Sequence, residues 1–151
     1  MMRNKNVPIV VVTIMTTEQV KQYILAGNCV FTLYSKKLDT RYTFKIQQDK
    51  NNKERYFTKV LFGPDNENDY RYIGLFYSDT LGLRTSSAAH IPHTAPQFVM
   101  LQYFLKIVQG EYPWPDTCQF YASGRCGRCG RRLTTPESIE SGIGPECRKY
   151  M

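Results

Sequence analysis

Residues 126–131 read Cys-Gly-Arg-Cys-Gly-Arg, and residues 142–147 read Gly-Ile-Gly-Pro-Glu-Cys. The chain is organised around these two stretches, because they bring three thiols into metal-ligand spacing. A C-x2-C turn places two sulfurs on one side of a single ion, and structural zinc takes four tetrahedral ligands, most often thiolates. The spacing therefore predicts a zinc site that includes Cys126, Cys129 and Cys147. A redox pair, or unrelated free thiols, is the alternative interpretation.

The glycine after the second thiol supports the metal site. Gly130 can take a positive φ, which lets the backbone curl and aim its N–H groups back at the sulfurs. We therefore expect a tight turn of the zinc-knuckle kind at this point.

The fourth ligand has three candidates. Cys118 lies eight positions before Cys126, on a short apolar and aromatic run that could fold back beside the site. His90 and His93 are rival donors if their loop reaches it. We expect Cys118 to be the ligand. We expect Cys29 to be a small buried hydrophobe, because apolar residues follow it in a predicted strand.

The same stretch resembles the C-terminal signature of an uncharacterised zinc-binding domain family found in phages, prophages and bacterial genomes. The similarity is dense over residues 124–147 and weaker over residues 56–74. Members of that family often carry a histidine where this chain has Ala122, which makes Cys118 a plausible substitute ligand. The resemblance implies zinc and a mobile-element origin. It implies no activity, because the family has none assigned.

Ahead of this motif, alternation of apolar and polar residues predicts a series of strands. Tyr42, Phe44 and Ile46 alternate with Thr43 and Lys45, which is the period of a half-buried strand. Short polar turns favour antiparallel pairing of neighbours. Lysines and arginines between the aromatic residues predict one wet, basic face. The predicted strands are 29–34, 41–47, 55–62 and 70–77.

Two helices are predicted from capping patterns. Thr16 to Gln19 matches a capping box that opens a short helix ending at Gly27. A second capping-box pattern covers residues 94–97, and a broad apolar stripe follows it as far as Gly110. This main helix is expected to cover the dry face of the sheet.

Three further expectations concern the ends of the chain. Residues 7–15 are read as a strand or an upstream extension, because Met15 could itself be the start instead of Met1. The apolar run is too short to span a membrane. Thr135 can cap a short helix that begins at Pro136.

The predicted fold class is therefore α+β. We expect an antiparallel sheet of about four or five strands packed on one main helix, with a small C-terminal zinc knuckle module. Residues 1–112 form the α+β domain in this interpretation. Residues 113–151 form the zinc-binding module, which packs on that domain and is not independent.

Net charge and cysteine content restrict the kinds of partner and the cellular compartment that we expect for this protein. The net charge of +7 suits an anionic partner, although a solvated basic surface is equally compatible with it. An odd number of cysteines, five, argues against a secreted disulfide framework. We expect a cytoplasmic protein of a bacterial host, without a membrane partner.

Two binding functions and one enzymatic function fit these features. The first is association with DNA or RNA, because guanidinium groups suit phosphate and because the strands interleave aromatic residues with lysine. The candidate contacts are Arg125, Arg128, Arg131, Arg132, Arg148 and Lys149. The second is an interaction module that inhibits or modulates a host protein, for example in a defence system. The third, a metalloenzyme, is not expected, because a cysteine-rich site without a nearby His-Glu pair lacks the open position and general base of catalytic zinc.

Overall fold

The computed structural model describes residues 11–12, 16–65, 68–123, 125–133 and 142–150. In that part of the chain the helices are α1 (Thr17–Ile24), α2 (Pro96–Gln109) and α3 (Pro145–Arg148). The strands are β1 (Val11–Val12), β2 (Asn28–Ser35), β3 (Thr40–Gln48), β4 (Arg55–Leu61), β5 (Tyr70–Tyr77) and β6 (Cys118–Ala122). They form one antiparallel sheet in the order β1-β6-β2-β3-β4-β5. The predicted α+β fold is confirmed.

The alternating pattern of the predicted strands places one face of the sheet in the core. Phe44 and Ile46 of β3 are fully buried, whereas Lys45 between them is half-buried on the opposite face. Both longer helices cover the buried face. The ring of Phe104 in α2 lies 5.2 Å from that of Phe31 in β2, between centroids. The hydroxyl of Tyr56 in β4 donates to the carbonyl oxygen of Leu25, just after α1, over 2.8 Å.

Helix α1 begins as predicted and ends earlier than predicted. The Thr16 side chain accepts from the backbone N–H of Gln19 at 3.2 Å, and the Gln19 side chain accepts from the Thr16 N–H at 2.9 Å. This capping box is confirmed. The last helical residue is Ile24 rather than one near Gly27, because the Ala26 N–H bonds three residues back to the carbonyl of Tyr23 and closes the final turn.

Helix α2 lacks the capping box that the sequence predicts. Its N-cap is Ala95, which has no side-chain capping bond, and Pro96 occupies the first turn. Thr94 therefore lies one position outside the cap. The predicted end is confirmed at Gly110, the C-cap residue, whose φ is 94°.

Strand β6 is the main feature that the sequence interpretation missed. The run Cys118–Ala122, expected to fold back beside the metal site, instead pairs with β2 on one side and β1 on the other. The ring of its Phe120 lies parallel to that of Phe104, with centroids 5.7 Å apart. The division at residues 112 and 113 stays a prediction, although β6 belongs to the main sheet. The expectations for residues 7–10, 13–15 and 134–141 lie outside the described residues.

Candidate metal centre

The knuckle, defined here as residues 125–133 and 142–150, follows β6 and lies beside the start of β2. The backbone N–H of Asn28 donates to the carbonyl of Gly127 over 2.7 Å, which ties the knuckle to the sheet. The knuckle turn itself is closed by the Gly130 N–H, which donates to the carbonyl of Cys126 over 2.9 Å. Gly130 has a φ of 81°, so the expected positive φ after the second thiol is confirmed.

A close contact between Gly127 and Tyr23 fixes the knuckle against α1. A Cβ added at Gly127 would lie 2.8 Å from the Tyr23 ring and 2.9 Å from its carbonyl oxygen. Tyr23 is fully buried, and its hydroxyl donates to the carbonyl of Val30 at 2.8 Å. The sequence analysis missed this contact. No local pattern reveals it, because the two residues are far apart in the chain.

Three cysteines meet in the knuckle. The Sγ atoms of Cys126, Cys129 and Cys147 all lie within 4.8 Å of one another. Cys126 and Cys147 are buried, whereas Cys129 is exposed. Zinc–sulfur bonds of about 2.3 Å in a tetrahedron put sulfurs roughly 3.8 Å apart, so the three sulfurs are close to the spacing that a bound ion requires. The cluster could therefore hold a metal ion.

Hydrogen bonds at the cluster favour the thiolate form of one cysteine. Burial alone would raise the pKa of Cys126, but backbone N–H groups of Gly144, Cys129 and Arg128 outweigh it and bring that pKa down to about 7. The Arg128 N–H lies 3.4 Å from the Cys126 sulfur. Burial raises the pKa of Cys147, and its hydrogen bond to Cys129 acts in the same direction. The lowered pKa favours the Cys126 thiolate, which is the form that binds a cation.

The structure does not bring the expected fourth ligand to this cluster. Cys118 begins β6, where it is the register partner of Ser35, and β6 then runs in extended conformation to Ala122 before the knuckle begins. The knuckle bonds to Asn28 at the other end of β2, seven residues from Ser35, which at about 3.3 Å per residue is roughly 23 Å of strand. We therefore do not retain Cys118 as a ligand. Burial raises its pKa, as expected for a packed thiol.

The histidines are also remote, and Cys29 is buried. The His90 N–H donates to the carbonyl of Tyr72 on β5, and His93 follows three residues later. Strand β5 is four strands from β6 in the sheet, about 19 Å at ordinary strand spacing. Cys29 is fully buried in β2, and burial raises its pKa, so its predicted packing role is confirmed. No histidine or carboxylate among the described residues joins the three sulfurs within 4.8 Å.

The six cationic candidates all belong to the knuckle, and all are exposed. They fall into two groups. Arg125 donates to the carbonyl of Gly130 at 3.2 Å, Arg128 lies over the Tyr150 ring at 5.1 Å, and Lys149 pairs with Glu146 at 3.4 Å. These side chains, together with Arg148, have intramolecular partners. The second group is Arg131 and Arg132, whose guanidinium groups make no hydrogen bond or ion pair with another described residue.

The fold and the site define an α+β protein with a C-terminal three-cysteine cluster that could hold a metal ion. Residues 119–151 match the model of a family described as "Family of unknown function (DUF6011)", so the knuckle and β6 are similar to that family. Comparisons with curated proteins and with solved structures find no match. None of the described helices is long and apolar enough to cross a membrane.

Proposed function

We propose that this chain is a non-enzymatic zinc protein that associates with nucleic acid through the surface of its knuckle. The observation that carries the zinc assignment is the meeting of three cysteine sulfurs within 4.8 Å. Soft thiolate donors select zinc, copper(I) or iron–sulfur clusters, and a C-x2-C turn with a third cysteine is typical of structural zinc. The described residues supply three of the four ligands that a closed zinc site uses.

The proposal of a structural rather than catalytic metal rests on the donors and their surroundings. Catalytic zinc works beside a general base, and the described histidines and carboxylates lie outside this cluster. Two of the three cysteines are buried, which suits a metal that holds a fold together.

The proposal of nucleic-acid association rests on Arg131 and Arg132. Both are exposed beside the cysteine cluster. The backbone of Arg132 pairs with that of Arg125 in an isolated antiparallel bridge, which places the two residues opposite each other. Cations placed directly opposite one another repel, so an anion between them would relieve a cost that the free protein bears. Guanidinium groups bind phosphate oxygens in a bidentate fashion.

The zinc assignment is tested with cysteine variants and elemental analysis. Cys126→Ser and Cys147→Ser are expected to lose bound metal, because each removes a buried donor. Cys118→Ser and Cys29→Ser are the matched controls and should keep the wild-type metal content. Replacement by cobalt(II) adds a spectroscopic readout, because sulfur–cobalt charge transfer reports thiolate ligation directly. The site would be contradicted if Cys126→Ser and Cys147→Ser kept their metal while Cys118→Ser and Cys29→Ser lost it.

The nucleic-acid assignment is tested with Arg131→Ala/Arg132→Ala. We expect weaker binding to labelled oligonucleotides of every sequence and a salt slope smaller by about 1.4 to 1.8, since two phosphate contacts are removed. Metal content should stay at the wild-type level. The control is Lys36→Ala/Lys37→Ala, which removes the same charge from the exposed turn between β2 and β3. Equal weakening in both variants would mean that binding depends only on the net charge of the protein, and not on Arg131 and Arg132 in particular.

A second candidate function is interaction with a host protein, and an exposed aromatic patch favours it. Val99 and Tyr103 lie on the outer side of α2, and Tyr103 stacks on Tyr112 with centroids 5.4 Å apart. Trp114 is 36% exposed and meets Phe104 of the same helix edge to face, with centroids 6.0 Å apart. Wild-type protein that captures one bacterial protein, with capture lost in Tyr103→Ser and retained in Arg131→Ala/Arg132→Ala, would favour this function over nucleic-acid association.

A further inference from the structure

We infer that the three-cysteine cluster holds its metal ion with one coordination position left open, and that this position binds a thiolate from outside the chain. Cys126, Cys129 and Cys147 are the ligands that the protein supplies. The inference rests on the metal site of the proposed function. It adds the chemical class of the ligand that completes the site, a low-molecular-weight thiol.

All cysteine and histidine donors of the chain are accounted for. The sequence holds five cysteines and two histidines, and each of them lies among the described residues. Three of the cysteines form the cluster, and neither the other two cysteines nor the two histidines join it within 4.8 Å. Structural zinc takes four ligands, most often thiolate or imidazole. The chain therefore gives the cluster three such donors and has no fourth one to offer.

The fold holds each of the remaining donors elsewhere. Cys29 is fully buried in β2, and its thiol faces the carbonyl oxygen of Ile24 at 3.9 Å. Cys118 pairs with Ser35, at the opposite end of β2 from Asn28, which is the residue that bonds to the knuckle. The two histidines belong to the loop beside β5, four strands from β6. None of these side chains reaches the cluster without breaking the backbone contacts that hold it.

The cluster has a closed side and an accessible side. Cys126 and Cys147 are buried, and a Cβ added at Gly144 would lie 3.8 Å from the Cys126 sulfur. The backbone N–H of Arg128 also lies against that sulfur, at 3.4 Å. Cys129, in contrast, is exposed. Small solutes therefore reach the cluster from the side of Cys129, and a ligand from outside the chain can enter there.

The donor set and the surrounding charge favour a thiolate in the open position. Zinc is a borderline-soft ion, and its structural sites complete three thiolates with a fourth thiolate or an imidazole. The described residues of the knuckle include six cationic side chains and one acidic side chain, Glu146. This excess of positive charge favours the anionic ligand of the two. The position is suited to binding rather than to activating water, because no described histidine or carboxylate joins the cluster as a general base.

The experiment adds 2-mercaptoethanol to the whole chain loaded with cobalt(II) and prepared without thiols. Sulfur–cobalt charge-transfer absorption grows with the number of thiolate ligands. We expect 2-mercaptoethanol to raise this absorption by about a third, because three thiolates become four, and to saturate at one thiol per ion. Ethylene glycol and 2-(methylthio)ethanol are the matched probes without a thiolate, and they should leave the spectrum unchanged.

Two variants and a second measurement locate the response. Cys118→Ser should respond as the wild type does, because Cys118 lies outside the cluster. Cys129→Ser removes the exposed ligand, so its charge-transfer absorption should start about a third lower. X-ray absorption of the zinc-loaded wild type counts the ligands independently. We expect three sulfurs and one lighter atom without thiol, and four sulfurs with 2-mercaptoethanol.

The outcomes separate this inference from the metal site itself. A protein that takes up neither cobalt nor zinc overturns both. Three-thiolate charge transfer that 2-mercaptoethanol leaves unchanged retains the metal site and overturns the inference, because the fourth position is then already filled. Four sulfurs before any thiol is added also overturn it, since the fourth then comes from a second copy of the chain. An equal response to ethylene glycol, or release of the cobalt by the thiol, overturns the assignment to a bound thiolate.

Discussion

At the scale of single residues, Gly127 is the point at which the knuckle contacts helix α1. Its backbone runs so close to Tyr23 that there is no room for a Cβ, and one of the clashing atoms is a backbone oxygen that cannot rotate away. The three cysteines are thus held in place from outside the knuckle as well as by their own turn.

Gly127→Ala is accordingly expected to reduce the free energy of unfolding by about 1–3 kcal/mol, the range for overpacking a tight site. It should also weaken metal binding, because the shift displaces the residue next to Cys126. Chemical denaturation and metal titration measure the two effects. The control is Gly82→Ala, whose added Cβ would have its nearest neighbour at 3.8 Å. An unchanged Gly127→Ala protein would show that the contact is not rigid.

Asp49 is the residue from which we expect a pH dependence of stability. The backbone N–H of Asn51, at 2.8 Å, lowers the pKa of Asp49, and the guanidinium of Arg55 lowers it further. Since the folded pKa lies below the unfolded one, this contribution to stability is complete above the unfolded pKa, about 4, and is lost as pH falls through the folded pKa.

The free energy of unfolding should therefore decline below about pH 4 in the wild type and decline less in Asp49→Asn. Denaturant titrations at a series of pH values measure this slope. Arg55→Gln removes only the second cause and should give an intermediate slope. Equal slopes in all three proteins would remove Asp49 from the acid response.

At the scale of secondary-structure elements, the two longer helices differ in how they begin. Helix α1 has a complete capping box between Thr16 and Gln19, whereas α2 begins at a proline after Ala95. Both chain segments match the same sequence pattern. The difference arises because Pro96 has a fixed φ that suits the first helical position, which leaves Thr94 outside the cap.

Thr16→Ala should consequently destabilise the protein by about 1 kcal/mol, the usual cost of losing an N-cap. Thr94→Ala should leave the free energy of unfolding unchanged, because Thr94 makes no capping bond. Equilibrium denaturation of the two variants side by side is the measurement. A larger loss in Thr94→Ala would contradict the helix start in this structure.

At the scale of the whole molecule, the knuckle and the sheet form one hydrogen-bonded unit. Strand β6 enters the sheet directly before the knuckle, and Asn28 of β2 bonds to Gly127 within it. Burial of Cys126, Leu133 and Ile143 joins the knuckle to the core cluster. Disorder in the knuckle would therefore expose part of the main core.

Metal removal is expected to lower the melting temperature of the entire protein by on the order of 10 °C. The loss should amount to a few kcal/mol of unfolding free energy, and each kcal/mol corresponds to about 2–4 °C at this chain length. It should also increase amide exchange at Asn28, whose N–H bonds to the knuckle. Calorimetry and hydrogen exchange with and without chelator measure these effects. A chelated protein with unchanged melting would mean that the knuckle folds without metal.

The sequence by itself determined the features that depend on neighbouring residues. Alternation at a period of two predicted the four central strands, and the C-x2-C turn followed by a third cysteine predicted the three clustered sulfurs. The period of a strand and the reach of a C-x2-C turn are set by local backbone geometry, so both can be read from neighbouring residues. The α1 capping box and the end of α2 at Gly110 belong to the same class.

The tertiary structure decided which distant segments meet. Strand β6 pairs with β2, whose paired residues lie 83 to 91 positions earlier, and this pairing moves Cys118 away from the cluster that it was expected to complete. The contact of Tyr23 with Gly127 and the pairing of Lys45 with Lys59 also depend on how elements are placed. Local spacing carries no information on such neighbours. They are selected when the whole chain packs, because each element then buries its apolar area against the surface that fits it.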